Sequence, residues 1–253
     1  MKLYLVKIQF FLAISLIFFS YTQVQAQLNQ SLIFAAPPPP TDIGEPGKRA
    51  EAGSRGCEQD INLPLAAAAN QLTALVPVYS KSELVFATTI AEYPSFWFYV
   101  PYSSSFAEGE FVLEDDAQNQ FIYKTSLPST PGIISLTLPA SAKPLEIGKQ
   151  YRWYFNIYCK SDRQFLANVE GYIKREQLNS TLNTQLKKAT LSQRITLYAA
   201  NGIWHDALSA AEVLRRTNPQ DPSWAILLKA VGLNNFVTKP KVECCTLEHQ
   251  LSQ

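Results

Sequence analysis

Histidine is nearly absent from this sequence: of 253 residues only His205 and His249 carry an imidazole. Both lie far in sequence from Cys57 and Cys159, and no C-x-x-C pair occurs among Cys57, Cys159, Cys244 and Cys245. A zinc site is therefore not expected. Glycine-rich phosphate loops are missing as well, so no nucleotide or other cofactor is expected. Charge of one sign is also scarce, with 22 basic and 21 acidic residues in the whole chain. No basic stripe is available to neutralise phosphates, which excludes nucleic acid as the expected partner. Beyond the N-terminus no apolar run is long enough to span a bilayer, so the mature chain is expected to be soluble.

The N-terminus itself is different. Met1, Lys2 and Lys7 place positive charge before an apolar stretch from Ile8 to Phe19, and Val24-Gln25-Ala26 follows with residues a signal peptidase accepts. A stretch of about 12 residues falls short of a membrane span, so residues 1–26 read as a cleaved signal peptide. Cleavage removes Lys2 and Lys7 and leaves 20 basic against 21 acidic residues. The expected location is outside the cytoplasm, periplasmic or extracellular. All four cysteines then lie where thiols can be oxidised.

Residues 27–56 follow as a Pro/Gly-rich linker or arm, with Pro37-Pro38-Pro39-Pro40 held extended by the fixed proline φ. The arm is expected to be solvated and to clip onto the next domain through Cys57. From Leu72 to Ile173 short runs of Val, Ile, Tyr, Phe, Trp and Thr alternate with Pro, Gly, Asp and Asn. This spacing predicts strands near 72–76, 84–89, 95–100, 109–114, 120–126, 132–138, 150–159 and 167–174. The run Glu114-Asp115-Asp116-Ala117-Gln118-Asn119 reads as a hairpin loop rather than a calcium loop, since the regular oxygen spacing is missing.

Parity over 150–159 places Tyr151, Trp153, Phe155, Ile157 and Cys159 on one side and Arg152, Tyr154, Asn156 and Tyr158 on the other. Leu145, Gly148 and Tyr151 have the spacing of the tyrosine corner of Greek-key sandwiches. The expected fold over 57–175 is thus an all-β Greek-key sandwich, immunoglobulin-like or fibronectin-III-like, with 150–159 as strand F and 95–100 as strand C beside it. The run 95–100 is apolar on both faces, Phe96, Phe98 and Val100 against Trp97, Tyr99 and Pro101 just beyond it. A second element must cover one of those faces, or that face binds a partner.

Beyond Lys174 the period becomes helical. Leu178, Leu182, Leu186 and Ala189 make a stripe that Asn201-Gly202 ends, a second helix spans about 203–216, and a third follows Asp221-Pro222. Three to four helices over 176–237 make a short α-helical tail. The stretch from Leu197 to Leu208, with Leu214 to Pro219, resembles one tetratricopeptide repeat, and a single repeat cannot bury its faces alone. Sandwich and tail are therefore expected to fold as one unit. Residues 238–253 are expected to be a disordered C-terminal extension, from which Cys244 or Cys245 could form an intermolecular disulfide.

Several motifs together resemble a cyanobacterial family of exported proteins known only as a domain of unknown function, the 928 family. They include Glu51-Ala52-Gly53-Ser54-Arg55-Gly56-Cys57, Pro94 to Tyr102, Pro131 to Leu136, Gly148 to Tyr154 and Asn201 to Leu208. The resemblance covers about Pro46 to Val237 and implies a source and an architecture but no activity. Cys57 and Cys159 both fall in family-like segments, and Cys159 closes the inward row of its strand. A disulfide between them is predicted.

No nucleophile lies beside a base in the pattern, and Glu108, Glu110, Glu114, Asp115 and Asp116 sit where charge is normally solvated. His205, next to Trp204 at a helix start, reads as a capping or surface residue. No catalytic residue is assigned. The expected function is a non-enzymatic exported interaction or envelope-associated module with a protein or glycan partner. The alternatives are a carbohydrate- or peptide-binding module that uses an aromatic sheet face, and an unrecognised hydrolase. The candidate binding face comprises Trp97, Tyr99, Arg152, Tyr154 and Tyr158.

Overall fold

The short β-branched and aromatic runs become strands β1 (Thr73–Ala74), β2 (Val78–Tyr79), β3 (Leu84–Thr89), β4 (Ser95–Val100), β5 (Ala107–Glu114), β6 (Gln120–Thr125), β7 (Gly132–Thr137), β8 (Gln150–Cys159), β9 (Phe165–Arg175) and β10 (Glu248–His249). The structure is a computed structural model that describes residues 31–41, 43, 45–51, 57 and 70–249. The expected signal segment 1–26, together with Gly44, Gly53, Arg55 and Gly56 of the expected arm, lies outside the described residues. The expected strand 72–76 is shorter than its apolar run. Pro77 has no N–H to give to a ladder, and there the chain passes from β1, paired with β4, to β2, paired with β3.

Two sheets result, one in the order β1-β4-β7 and one in the order β10-β6-β5-β8-β9-β3-β2. Neighbours are antiparallel except β3 and β9, which run parallel. The expected place of 95–100 beside 150–159 is corrected here. Both edges of β8 are taken by β5 and β9, and β4 lies in the opposite sheet. Alternation reports which side chains face inward, not which strand is the neighbour. Phe96 and Phe98 of β4 meet Trp153 and Phe155 of β8 across the space between the sheets, with the Phe98 and Phe155 ring centroids 4.6 Å apart. The inward row of β8 is buried throughout, and the Tyr151 hydroxyl at its base accepts from the Glu146 N–H at 3.0 Å.

Four helices follow the sandwich: α1 (Ser180–Lys188), α2 (Leu191–Ala200), α3 (Trp204–Thr217) and α4 (Ser223–Ala230), then a 3-10 turn at Asn234–Phe236. The long leucine stripe splits because Thr190 opens a capping box with Gln193, which starts α2 afresh. Asn179 caps α1 by accepting from the Leu182 N–H. Gly202 takes φ +72° between α2 and α3, and a Cβ there would meet Pro37 at 2.7 Å. The helices share one apolar core with the sandwich: Trp204, Trp224, Leu227 and Leu228 belong to the same cluster as Phe98, Trp153 and Phe155.

Two segments expected to be loose instead close the sides of the sandwich. In the arm, Lys48 exchanges backbone hydrogen bonds with Glu170 of β9, Arg49 accepts from the Ala74 N–H of β1, and Glu51 donates to the Leu72 carbonyl. The arm thus joins the two sheets and is not a solvated strap held by Cys57 alone. Gly47 makes the crossing possible: its φ is +82°, and a Cβ would lie 3.0 Å from the Glu170 carbonyl. The buried Glu51 side chain accepts from the Leu72 N–H and from the Tyr102 hydroxyl. On the opposite side, residues 240–242 pair with Ile133 of β7, Leu247 is buried, and β10 pairs with β6. Residues 239–249 are therefore ordered, contrary to the expected disordered extension over 238–253. The reason is that β7 and β6 each offer an unpaired edge, which this segment satisfies.

Candidate functional site

The five residues of the candidate face fall on two different surfaces. Trp97 and Tyr99 project from the outer face of the three-stranded sheet, where they are only 6% and 3% exposed. Trp97 Nε1 donates to Ser209 Oγ of α3 at 3.0 Å, and its ring stands edge-on to Trp224 of α4 at 5.6 Å. Tyr99 packs on Phe236 at 5.3 Å, and Lys239 Nζ lies over its ring. Trp204 anchors the cover by donating Nε1–H to the Leu75 carbonyl. This face is spent on the helices, so Trp97 and Tyr99 are withdrawn as binding residues.

Arg152, Tyr154 and Tyr158 lie on the outer face of the seven-stranded sheet, because β8 alternates and their partners in register do too. Arg152 stands opposite Glu114 and Tyr172, and Tyr154 opposite Val112 and Glu170. The Arg152 guanidinium donates to Glu45 Oε2 at 2.5 Å and Glu170 Oε2 at 2.7 Å, and lies over the rings of Tyr154 and Tyr172. Burial works against its charge, but the two carboxylates outweigh it and raise its pKa further. Burial also pushes the Tyr154 hydroxyl up to about 12 and raises those of Tyr158 and Tyr172, so these phenols are neutral donors.

A second cluster surrounds Tyr158. Its hydroxyl reaches Glu110 Oε1 at 3.3 Å, Arg163 stacks on its ring, and Phe165 stands edge-on at 6.0 Å while remaining 52% exposed. Arg163 also pairs with Glu108. Tyr172, Glu170, Arg163 and Phe165 were not singled out in the sequence, and Glu110 was read there only as a solvated carboxylate. The parity of β9, with Asn168, Glu170 and Tyr172 opposite Val169, Gly171 and Ile173, carried the signal for two of them, Glu170 and Tyr172.

The remaining polar candidates have local duties. Asp115 Oδ1 accepts from the N–H groups of Ala117 and Asn119 and from Asn119 Nδ2, which is turn chemistry, and the hydrogen bonds from Asn119 hold its carboxyl below the usual range. Among the described residues no three His, Cys, Asp or Glu side chains converge on a common point. Cys57 and Cys159 are joined in a disulfide. Cys244 and Cys245 are joined to each other, so in this state neither offers a thiol to a partner chain.

His205 is not a surface residue, as its position suggested, but is buried between α3 and β4. Its Nδ1 meets the Ser95 carbonyl at 3.1 Å, and its Nε2 has no hydrogen-bond partner. Burial lowers its pKa to about 4. The unfolded chain therefore binds a proton near pH 6.5 that the folded chain refuses until about 4, and stability present above pH 7 falls between those values. The loss is on the order of 3 kcal/mol for this group. Asp206 acts the other way. Burial raises its carboxyl although it accepts from Thr89 Oγ1 and the Ile90 N–H, so acid favours the folded state there. In urea titrations from pH 7 to 4, His205→Gln is expected to lose the acid-destabilising slope of the parent. An unchanged slope would count against this assignment.

A two-sheet β-sandwich closed on both sides by its own chain, with one sheet face under α3 and α4 and the other bearing tyrosines, defines the class. The family model described as Domain of Unknown Function (DUF928) matches residues 50–241, and the chain belongs to that family. No curated protein and no solved structure matches it.

Proposed function

We propose that this chain is a non-enzymatic, exported interaction module whose working surface is the outer face of the seven-stranded sheet around Arg152, Tyr154 and Tyr158. One observation carries the reading: the chain itself occupies three of its strand edges and the outer face of its smaller sheet. The β1 edge is taken by the arm, the β7 edge by residues 240–242 and the β6 edge by β10. The helices take the outer face of the three-stranded sheet. Among the described residues no helix crosses the Tyr154–Tyr158 face, where half-buried aromatic rings lie among groups that hydrogen-bond in fixed directions.

The finer architecture follows the same reading. The strand order and the Tyr151 corner support a Greek-key, immunoglobulin-like sandwich in which β8 is strand F, β5 strand C and β9 strand G. In that lettering β4 takes the place of strand B. The α2–α3 pair, closed over the small residues Ala199, Gly202 and Ala207, supports the tetratricopeptide-like reading of the tail. The lysines and apolar run before Ala26 support export, and the family-like motifs support a cyanobacterial source.

A glycan partner is favoured over a peptide by the side chains that frame the rings. Asn156 and Asn168 face each other across β8 and β9 beside Glu110 and Glu170, a set of donors and acceptors suited to hydroxyl groups. Screening the mature chain on a glycan array is expected to give binding that Tyr154→Ala and Tyr158→Ala each reduce about tenfold or more, a loss of roughly 1.4 kcal/mol. Trp97→Ala should lower stability instead. Binding that survives both tyrosine substitutions would move the site elsewhere.

A further inference from the structure

The C-terminal strap contains a bond that nothing in the proposed binding face uses. Residues 240–242 pair with β7, and Glu212 of α3, almost fully buried, holds Lys241 at 2.9 Å, so the first half of the strap is firmly anchored. The second half, Leu247 and β10, is held by one apolar side chain and a two-residue pairing with Lys124 and Tyr123 of β6. Between the halves stands the Cys244–Cys245 disulfide, with Cys245 at φ +76°, a conformation a non-glycine residue adopts at a cost. The family match ends at residue 241, so this bond lies outside the matched residues.

The two disulfides differ in protection. Cys57 and Cys159 are 6% and 1% exposed, and their bond closes a loop of 102 residues. Cys244 and Cys245 are half-buried neighbours in sequence, a linkage whose small ring resists relaxation, and exposed or strained disulfides are the ones that thiols reduce. We propose that Cys244–Cys245 is a redox site whose reduction by a dithiol releases the distal strap and uncovers the outer edge of β6. One thiolate of the dithiol attacks a cysteine sulfur and breaks the Sγ–Sγ bond. Its second thiol then closes on the mixed disulfide, so the dithiol leaves oxidised by two electrons and both cysteines end as thiols carrying its two protons. Cys245 is then free to leave its left-handed conformation, and β10 loses the turn that delivers it to β6. An open strand edge is a surface to which another strand can add.

The test uses the full mature chain titrated with dithiothreitol. Alkylation and mass spectrometry should find Cys244 and Cys245 half-reduced at about one-tenth or less of the dithiothreitol that half-reduces Cys57 and Cys159. At that point hydrogen exchange should accelerate over residues 121–125, while residues 132–137 of β7 keep their protection. Cys244→Ser/Cys245→Ser should show the fast β6 exchange with no reductant present. The proposal is overturned if Cys57–Cys159 is reduced first or at the same concentration. It is equally overturned if Cys244 and Cys245 are alkylated without reductant in the oxidised protein, or if β6 exchange is the same in the reduced, substituted and oxidised chains.

Discussion

A chain ending near Arg175 is expected to aggregate rather than fold as a soluble sandwich. Truncation removes α1 to α4 and the C-terminal strap together, and so strips the cover from Trp97 and Tyr99 while leaving the β6 and β7 edges unpaired. Exposed apolar patches and open edges are each sufficient to drive association. A milder version of the same experiment is Trp204→Ala. It empties a fully buried site and leaves the Leu75 carbonyl without its donor, for a loss of about 3–5 kcal/mol. Against a total of roughly 5–15 kcal/mol, that loss approaches the threshold of folding. Sedimentation and thermal melting of the truncated chain decide the matter. A monomer whose sandwich melts as it does in the full chain would show that the helices are an independent appendage.

Strands that bury one face were legible because they show it by alternation. Trp153, Phe155 and Ile157 against Arg152, Tyr154 and Asn156 is such a case. The doubly apolar run Ser95–Val100 was legible as something sandwiched between layers, and α3 and α4 are the layer that covers it. What alternation cannot convey is which strand lies alongside, since hydrogen-bonded neighbours leave no mark on side-chain parity; this is why β4 was expected next to β8. The same limit split the candidate face. Tyr154 and Trp97 look alike in sequence, and only the assignment of β8 and β4 to different sheets separates them.

The straps were illegible for a different reason. Lys48, Ala50 and Lys241 each make one isolated bridge, too short to impose a period of two on the sequence around them. Proline and glycine in the arm reported irregular backbone correctly, but irregular backbone can still be hydrogen-bonded at every turn. His205 was misleading in the opposite sense. A polar residue on a helix normally faces water, and this one is buried because β4 supplies a partner from a remote part of the chain.

Replacing both members of the long-range disulfide, as Cys57→Ser/Cys159→Ser, is expected to lower stability by about 4–5 kcal/mol and the melting temperature by roughly 10–20 °C. The argument rests on the loop rather than on the bond's contacts. Cys57 and Cys159 are separated by 102 residues, and in the chain-entropy model a loop of about that length takes roughly 4.7 kcal/mol from the unfolded state. The native side should change little. The arm before Cys57 is held independently by the Lys48 and Ala50 bridges and by Glu51, and Cys159 ends a strand paired on both edges. The substituted chain should therefore keep its spectrum and its His205-dependent acid slope while its urea transition moves to lower concentration. The urea slope should rise, because an unfolded chain without the cross-link exposes more surface. A loss below about 1 kcal/mol at an unchanged slope would mean that the unfolded chain is already constrained without the bond, and the entropic account would fail.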